Sequence, residues 1–490
     1  MAASEPANNS GRAGSGDSKL EQMTQPVSQI LPGQSGFSIL NTGRQGFERR
    51  AELIEAAERS IDAQYYIWNS DVSGVYLARR LIIAADRGVQ IRLLLDDVNL
   101  GERDLLLAAL DSHPNIHIRI YNPSAVRSGI GNLVAFVSDF RRMNRRMHNK
   151  TFVVDYALGI AGGRNIGDEY FDLHPNMNHR DRDVLAVGPI VGELTKNFEA
   201  YWKSAWSYPI SNIAKTPKNA ASILGSARES AGDITGLTRG TVQNIEAARG
   251  KIQQVIEGLI WAPAELVFDS PLQDANEVPD QLKKTAQALR DLVQHANSEI
   301  LVESAYLILG NKQLELMSDL NARNVKVAAL TNSLATNDLT PNHAGYTRCR
   351  PELLSQGVEL FELRPDAEAC KLWVEPAEYC DHGAMSLHAK SVVVDRRTLF
   401  VGSFNINLRS IYLNGETALI IHSPELAEQV ANDIRLAMGR PNSWQVTCDV
   451  NGKLQWVSSD EVLWNHEPAV NWWRRLLSRF ISLMPIEFFL

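Results

Sequence analysis

Cysteine is scarce in this sequence, with four residues in 490, and no two of them form a C-x2-C pair. That scarcity argues against a disulfide framework and against a structural zinc site, so we expect free thiols in a reducing compartment. Cys370, Cys380 and His382 also match no metal-ligand spacing. No run of eighteen apolar residues occurs, which predicts that no helix crosses a membrane.

Positive charge is not in excess either. The formal net charge is -8 and the isoelectric point is about 5.8, which argues against a nucleic-acid-binding chain. The first residues contain no apolar core of a signal peptide, and their small, polar, glycine-rich composition predicts disorder over residues 1–35.

An internal repeat is the most informative feature that is present. His148, Lys150, Asp155 and Asn165 recur 240 positions later as His388, Lys390, Asp395 and Asn405. The strings around them, KTFVVDYALGIAGGRN and KSVVVDRRTLFVGSFN, have the same strand-like pattern. Upstream, AERSIDAQYYIW resembles ANSEILVESAYLI, so the duplication extends well beyond the motif.

Strand and helix patterns alternate within each copy, which predicts two α/β sandwiches with mixed, largely parallel sheets. We assign one domain to residues 36–210 and the other to residues 262–440. Residues 211–261 show helical spacing without a strand pattern and are interpreted as a helical linker, which leaves residues 441–490 as a C-terminal extension.

The extension ends in an amphipathic pattern. Six apolar residues recur at helical spacing, namely Trp472, Trp473, Leu476, Leu477, Phe480 and Leu483. Arg474, Arg475 and Arg479 lie beside them, and Pro485 should end the helix. Aromatic residues combined with arginines suit a membrane interface, although such a helix can also pack on the domain core.

The chemistry of the repeated motif follows from strand geometry. Residues two apart share one face of a strand, so His148 and Lys150 point the same way, and so do His388 and Lys390. Two histidines that meet between duplicated domains can supply a nucleophile and a general acid. The lysines would neutralise a phosphodiester without a metal or other cofactor. Asp155 and Asp395 fall at the opposite parity or in the following turn, so we expect them to brace the motif.

The repeated pattern H-x-K-x4-D-x6-G-[GS]-x-N resembles the phospholipase D superfamily over residues 50–425. Within it, GGRNIGDEYF and the WWRR…MPIE tail are similar to bacterial cardiolipin synthases of the C type. The resemblance implies phosphatidyl transfer through a phosphohistidine, with His148 as nucleophile and His388 as acid. The pseudo-symmetry leaves the reverse assignment open.

The resemblance also implies roles for further residues. Asn165, Asn405 and Ser403 would bind phosphate, while Gly163 replaces the serine in the first copy. A downstream carboxylate would orient each histidine, with Asp183 in the first copy and Glu416 in the second. Both carboxylates could instead be ordinary loop charges.

Other polar residues near the motif are open to two interpretations. The cluster Arg141, Arg142, Arg145 and Arg146 could recruit anionic headgroups or form a solvated helix face. His174 and His179 fit loop histidines better than ligands.

Four functions are considered. Transfer between phospholipids is favoured, with phosphatidylglycerol as acceptor and phosphatidylethanolamine as the donor that the C-type resemblance implies. Water as acceptor would give a phospholipase D, and the acidic isoelectric point disfavours a nuclease. The resemblance implies a peripheral protein on the cytoplasmic face of the bacterial inner membrane, with phospholipids and the membrane surface as partners. A helper protein stays open, and a non-catalytic lipid-binding protein is the remaining alternative.

Overall fold

The computed structural model describes residues 17–100, 103–124, 140–229, 244–273, 281–337, 339–375, 377–381, 383–458 and 463–483. The chain folds as two similar halves, each built on one large sheet. The elements of the first half are α1 Lys19–Ile30, β1 Ser35–Leu40, α2 Gly43–Ala56, β2 Ser60–Tyr65, α3 Val72–Asp86, β3 Gln90–Asp96, α4 Asp104–Asp111, β4 Ile116–Tyr121, α5 Phe140–Met143, β5 Thr151–Val154, β6 Leu158–Gly162, β7 Met177–Arg180, β8 Asp183–Val187, α6 Pro189–Trp202, β9 Ser207–Pro209, α7 Ala220–Glu229, α8 Ile245–Glu257 and β10 Ile260–Ala262.

The second half repeats this order with its own additions. Its elements are β11 Ala264–Phe268, α9 Lys284–Gln294, β12 Glu299–Ser304, α10 Asn311–Ala322, β13 Lys326–Asn332, α11 Thr340–Ser355, β14 Glu359–Leu363, α12 Cys370–Trp373, β15 Ala384–Leu387, β16 Lys390–Val394, β17 Thr398–Gly402, α13 Leu408–Tyr412, β18 Thr417–His422, α14 Pro424–Met438, β19 Ser443–Cys448, β20 Leu454–Val457, β21 Leu463–Trp464 and α15 Trp472–Ile481.

The two sheets share a strand order. The first runs β10-β1-β8-β6-β5-β2-β3-β4-β9, and the second runs β11-β18-β17-β16-β12-β13-β14-β19-β20-β21. The predicted α/β sandwich with mixed sheets is confirmed, but "largely parallel" is wrong. Within these two sheets only β2-β3-β4 and β12-β13-β14 pair in parallel, and the other described pairings are antiparallel. The motif hairpins β5–β6 and β16–β17 are two of these antiparallel pairings.

The two halves pack face to face through apolar and polar contacts. One buried cluster contains Val153 and Val184 of the first sheet together with Val393 and Leu419 of the second. A two-stranded parallel ladder also joins β7 to β15 across the interface. Burial of these strand faces provides the hydrophobic driving force that holds the two copies of the motif together.

Buried ion pairs cross the same interface. Arg180 and Arg182 of the first half both contact Glu303 and Asp433 of the second, and the Arg182 side chain is almost fully buried. Removing one partner of such a set leaves an uncompensated buried charge, so these pairs fix how the halves fit together.

The boundaries differ from the sequence interpretation in three places. Residues 19–30 of the predicted disordered segment form α1, because Ser18 and Glu21 make a reciprocal capping box; residues 1–16 lie outside the described residues. The predicted linker contributes α7 and α8, which pack on α3, α4 and α2, and ends in β10, which pairs with β1. The second sheet continues through β21, beyond residue 440.

The cysteines also differ from the prediction. Cys370 and Cys380 form a disulfide, while Cys349 is a buried free thiol and Cys448 an exposed one. The expectation of four free thiols is therefore wrong. His382, considered with this pair, lies outside the described residues.

Within the described residues, no helix combines the length and the apolarity that a bilayer crossing requires.

Candidate active site

His148 and His388 occupy equivalent places at the starts of the hairpin strands β5 and β16. The His148 N–H donates to the Gly415 carbonyl at 2.8 Å, and the His388 N–H donates to the Arg180 carbonyl at 2.8 Å. Each motif histidine is therefore held by backbone of the opposite half, which places both at the interface between the halves.

The side chains repeat this exchange. The Nδ1 atom of His148 lies 2.8 Å from Oε2 of Glu416, and Nδ1 of His388 lies 2.5 Å from Oδ2 of Asp181. A carboxylate on Nδ1 fixes the tautomer that leaves Nε2 available for chemistry. Each carboxylate directly follows the residue whose carbonyl accepts from the histidine N–H, so Asp181 and Glu416 are structural equivalents.

Aromatic rings complete the packing around both imidazoles. Tyr66 meets His148 edge-on with ring centroids 4.8 Å apart, and Tyr170 meets His388 in the same way at 5.0 Å. His179 stacks on His388 at 5.4 Å. His179 therefore lies in the site on β7, which the interpretation as a loop histidine missed, whereas His174 lies in the preceding loop.

Lys150 and Lys390 are almost fully buried beside the histidines. The Lys150 ammonium donates to the His148 carbonyl at 2.6 Å, and Lys390 contacts the His388 carbonyl in the same manner. Burial lowers the pKa of Lys150 well below its usual value. An anionic phosphodiester would supply counter-charge and favour the protonated lysine.

The electrostatics of the histidines follow from the same burial. Burial, reinforced by Lys150 and Lys390 and opposed by Glu416, lowers the pKa of His148 to about 4. Burial and Lys390 lower the pKa of His388 well below its ordinary value. Burial works to raise the pKa of Asp181, but the charges of His388 and Lys390 outweigh it and the net direction is downward. These pKa shifts favour a neutral imidazole at each histidine and an ionised carboxylate at Asp181 and Glu416.

Comparison with known proteins identifies the family at this point. Residues 51–202 and 289–436 match the family model described as "Cardiolipin synthase, PLD-like domain". The chain belongs to the cardiolipin synthase family of phospholipase D-like proteins. The predicted family and the predicted duplication of its domain are confirmed.

Individual relatives show the same likeness. The chain is 35% identical over 483 residues to "Cardiolipin synthase C" of Escherichia coli strain K12, covering 96% of this chain and 100% of that protein. It is 24% identical to "Major cardiolipin synthase ClsA" of Bacillus subtilis strain 168, covering 83% and 69% of the two chains. In fold it resembles the crystal structure of phosphatidylserine synthase of Haemophilus influenzae Rd KW20, with TM-score 0.59, 13% identity and coverage of 95% and 100%.

Two residues that the sequence predicted to act in the active site, Asp183 and Ser403, make other contacts. Asp183 touches neither histidine, because it lies on β8 opposite Gly162 and pairs with Arg50 and Arg164. In the structure, the first-half carboxylate that contacts His388 is that of Asp181. Ser403 is fully buried and donates to Glu416 at 2.5 Å, and binding of phosphate by it stays a prediction.

The glycine that departs from the motif also has a structural explanation. A Cβ atom at Gly163 would lie 2.1 Å from Oδ1 of Asp181. Asp181 has a shorter side chain than Glu416, and its carboxylate lies against the backbone of Gly163. In the second copy, the Ser403 hydroxyl contacts the carboxylate of the longer Glu416. Gly163 and Asp181 are thus a matched pair, as are Ser403 and Glu416.

The motif aspartates have the bracing position that strand parity predicted. Asp155 and Asp395 have φ of 51° and 53° and begin the tight turns between the hairpin strands. The Asp155 carboxylate accepts from three consecutive backbone N–H groups, those of Glu58, Arg59 and Ser60. Asp395 does the same for residues 297–299. Neither carboxylate contacts a histidine.

The remaining predicted residues divide into two groups. Asn165 and Asn405 are buried in the turns that follow β6 and β17, and binding of phosphate by them stays a prediction. Arg145 and Arg146 are buried, which excludes a solvated helix face for them, and Arg146 pairs with Asp96 at 3.4 Å. The Arg142 side chain contacts Asn122, and the side chain of Arg141 lies outside the described residues.

Proposed function

We propose that the protein transfers a phosphatidyl group between phospholipids through a covalent phosphohistidine, which makes it a cardiolipin synthase. The observation that supports this most directly is the crossed pairing of His148 with Glu416 and of His388 with Asp181. It leaves two Nε2 atoms of opposite halves for one phosphorus, with two buried lysines beside them. We assign Asn165 and Asn405 to the same phosphate.

The reaction proceeds in two displacements. Nε2 of one histidine attacks phosphorus, the N–P bond forms, and the P–O bond to the donor headgroup breaks as the second histidine protonates the leaving alcohol. The acceptor hydroxyl then gives its proton to that second histidine and attacks phosphorus, which breaks the N–P bond. We assign His148 as nucleophile and His388 as acid, while the symmetry of the contacts allows the reverse.

The protonation states of the two histidines impose one requirement on this mechanism. The neutral imidazole at His148 is ready to attack, whereas the acid must first acquire a proton. An anionic phosphodiester beside His388 opposes the effect of Lys390 and favours the protonated imidazole. The site is therefore suited to a substrate that brings negative charge into the space between the halves.

The substrates and location belong to the same proposal. We propose phosphatidylglycerol as acceptor, phosphatidylethanolamine as donor, and peripheral action at a membrane surface. The Cys370–Cys380 disulfide is typical of an oxidising compartment, so it does not favour the cytoplasmic face that the family resemblance implies.

Mass spectrometry of lipids after incubation of purified protein with phosphatidylglycerol, with and without phosphatidylethanolamine, tests the proposal. We expect cardiolipin, with free ethanolamine if the second lipid is the donor and glycerol if phosphatidylglycerol serves as both. His148→Ala and His388→Ala should each abolish turnover. Phosphatidic acid as sole product would establish hydrolysis instead, and cleavage of single-stranded DNA without lipid turnover would refute the proposal.

A further inference from the structure

The C-terminal helix α15 presents its apolar side to solvent. Trp472 is 70% exposed and Phe480 is 59% exposed, while Ser478 is buried. Arg474 turns inward and donates to the Asn337 carbonyl at 2.6 Å. The helix thus contacts the described part of the domain through polar residues and leaves its aromatic side chains exposed. Such a row of exposed tryptophan, leucine and phenylalanine side chains suits the headgroup region of a bilayer.

A cavity of about 350 Å³ lies beneath α15, between this helix, α11 and β20. Four cationic side chains line it, and they are Arg350, Lys453, Arg475 and Arg479. Arg350 and Ser478 of the lining are themselves buried, with exposed fractions of 4% and 2%. A cavity lined by several cations is suited to an anionic ligand.

The carboxylates near the cavity are already engaged. Arg350 pairs with Glu362 at 2.8 Å and with Glu467 at 3.0 Å, and Glu467 also contacts His343 at 2.9 Å. Lys453, Arg475 and Arg479 form no salt bridge with any residue that the structure describes, and the Nη2 atom of Arg475 donates only to a backbone carbonyl. The cavity therefore keeps a net positive charge, which complements an anionic group.

Helix α15 and the backbone next to His388 both contact the end of β13 or the segment that follows it. The side chain of Asn332, at the end of β13, exchanges hydrogen bonds with the backbone of Leu387, next to His388. Five residues later, the Asn337 carbonyl accepts from Arg474 of α15. One short segment of the chain, residues 332–337, therefore connects the packing of α15 to the backbone beside His388.

We propose that the cavity beneath α15 binds the phosphate of an anionic phospholipid headgroup while the apolar face of the helix enters the same leaflet. This is a second lipid site, separate from the pair of histidines, and it rests on the proposed function for the presence of a lipid surface. The bound headgroup and the inserted helix together orient the protein on the leaflet that holds its substrates.

Vesicle flotation of the full chain tests this site. We compare vesicles of phosphatidylcholine alone with equimolar phosphatidylcholine and phosphatidylglycerol. Arg475→Gln with Arg479→Gln should weaken binding to the anionic vesicles about 30-fold, because each basic residue near an anionic surface contributes about 1 kcal/mol. Lys453→Gln, which lies on β20 and not on the helix, should weaken it about fivefold by the same reasoning.

Matched variants separate the cavity from charge in general. Lys196→Gln with Lys203→Gln removes two exposed cations, one from α6 and one from the residue that follows it, and should leave the preference for anionic vesicles unchanged. Phe480→Ser with Trp473→Ser should weaken binding to both vesicle types. Equal losses in the cavity double variant and the control double variant would overturn the proposal.

A second measurement distinguishes this proposal from the proposed function. Turnover of short-chain phospholipids as monomers, below the concentration at which they aggregate, needs no vesicle surface. The cavity variants should retain wild-type turnover in that assay while losing vesicle binding. Wild-type protein that binds anionic vesicles but never turns over monomeric phospholipid would refute the proposed function and leave the headgroup site supported.

Discussion

The His148 side chain hydrogen bonds to Glu416, 268 positions later in the chain, with Nδ1 and Oε2 2.8 Å apart. Glu416 also accepts hydrogen bonds from Ser403 and Ser410, which hold its carboxylate in place. The first copy of the motif is therefore incomplete without the second. We infer that a half expressed alone would lack a carboxylate to orient its histidine.

Glu416→Gln tests this dependence. The amide keeps the shape of the side chain but weakens its hold on the Nδ1–H tautomer of His148, so kcat should fall by about 10⁴-fold, as for the equivalent change in other histidine–carboxylate pairs. Steady-state turnover of phosphatidylglycerol gives the effect, and circular dichroism verifies the fold. Retention of more than a tenth of the wild-type kcat would contradict the orienting role.

Asp181→Asn and Asp183→Asn form a matched pair two residues apart. Asp181 touches His388, so its variant should lose turnover with little change in stability. Asp183 compensates Arg50 and Arg164, so its variant should lose about 3–5 kcal/mol of unfolding free energy by leaving buried charge unpaired. Urea unfolding and turnover measure the two effects. A stable but inactive Asp183→Asn protein would restore the assignment made from sequence.

The pKa of the histidines predicts an unusual pH profile for chemical modification. Diethyl pyrocarbonate reacts with neutral imidazole, and an ordinary histidine loses half of that reactivity near pH 6.5. Because burial lowers the pKa of His148 to about 4, and lowers that of His388 as well, inactivation should keep a constant rate from pH 8 down to about 5.5.

This profile is measured from the rate constant for inactivation, corrected for hydrolysis of the reagent. Only the part of the inactivation that short-chain phosphatidylglycerol prevents is counted. A midpoint at pH 6.5 would show that the pKa values of the histidines are not shifted.

The lowered histidine pKa also has a consequence for stability. Since the unfolded chain binds the proton more tightly than the folded one, the contribution of His148 to stability is lost as the pH falls from about 6.5 towards 4.

The thiol content gives a further prediction. Titration of the unfolded, unreduced protein should find two thiols, Cys349 and Cys448, and four after reduction. Reduction should lower the unfolding free energy by about 3 kcal/mol, the loop-closure value for a separation of this length. Four thiols before reduction would exclude the Cys370–Cys380 bond and return the protein to the reducing compartment that its composition suggests.

The success and failure of sequence reasoning have identifiable causes. The offset of 240 positions between the two copies is constant through β5–β6 and β16–β17 because both hairpins have the same length. It failed beyond Asn165 and Asn405, since Asp181 lies 16 residues after the first asparagine (181 − 165) and Glu416 lies 11 after the second (416 − 405). Alignment by strand pattern therefore selected Asp183, whose register opposite Gly162 points it at Arg50.

Other features depended on tertiary structure alone. Cys370 and Cys380 are ten residues apart, a spacing without meaning until α12 and the following helical turn bring their Cα atoms to 5.9 Å. His179 and Tyr66 carry no motif, and only the packing of the two halves and of β2 places their rings on the catalytic histidines. By contrast, the bracing role of Asp155 was readable, because strand parity alone removes it from the face of His148.

The motif aspartates provide the last prediction, because they separate stability from chemistry. Asp155→Ala leaves three backbone N–H groups without their acceptor in a fully buried position, which should cost about 3–5 kcal/mol of unfolding free energy. Asp395 is partly exposed, so water can replace it and Asp395→Ala should cost only about 1–3 kcal/mol. Urea unfolding gives both values. Turnover per folded molecule should stay within about threefold of wild type for Asp395→Ala, because its carboxylate touches no histidine. A stable Asp395→Ala protein with abolished turnover would instead place this aspartate in the reaction, and the symmetry of the turns would then require the same of Asp155.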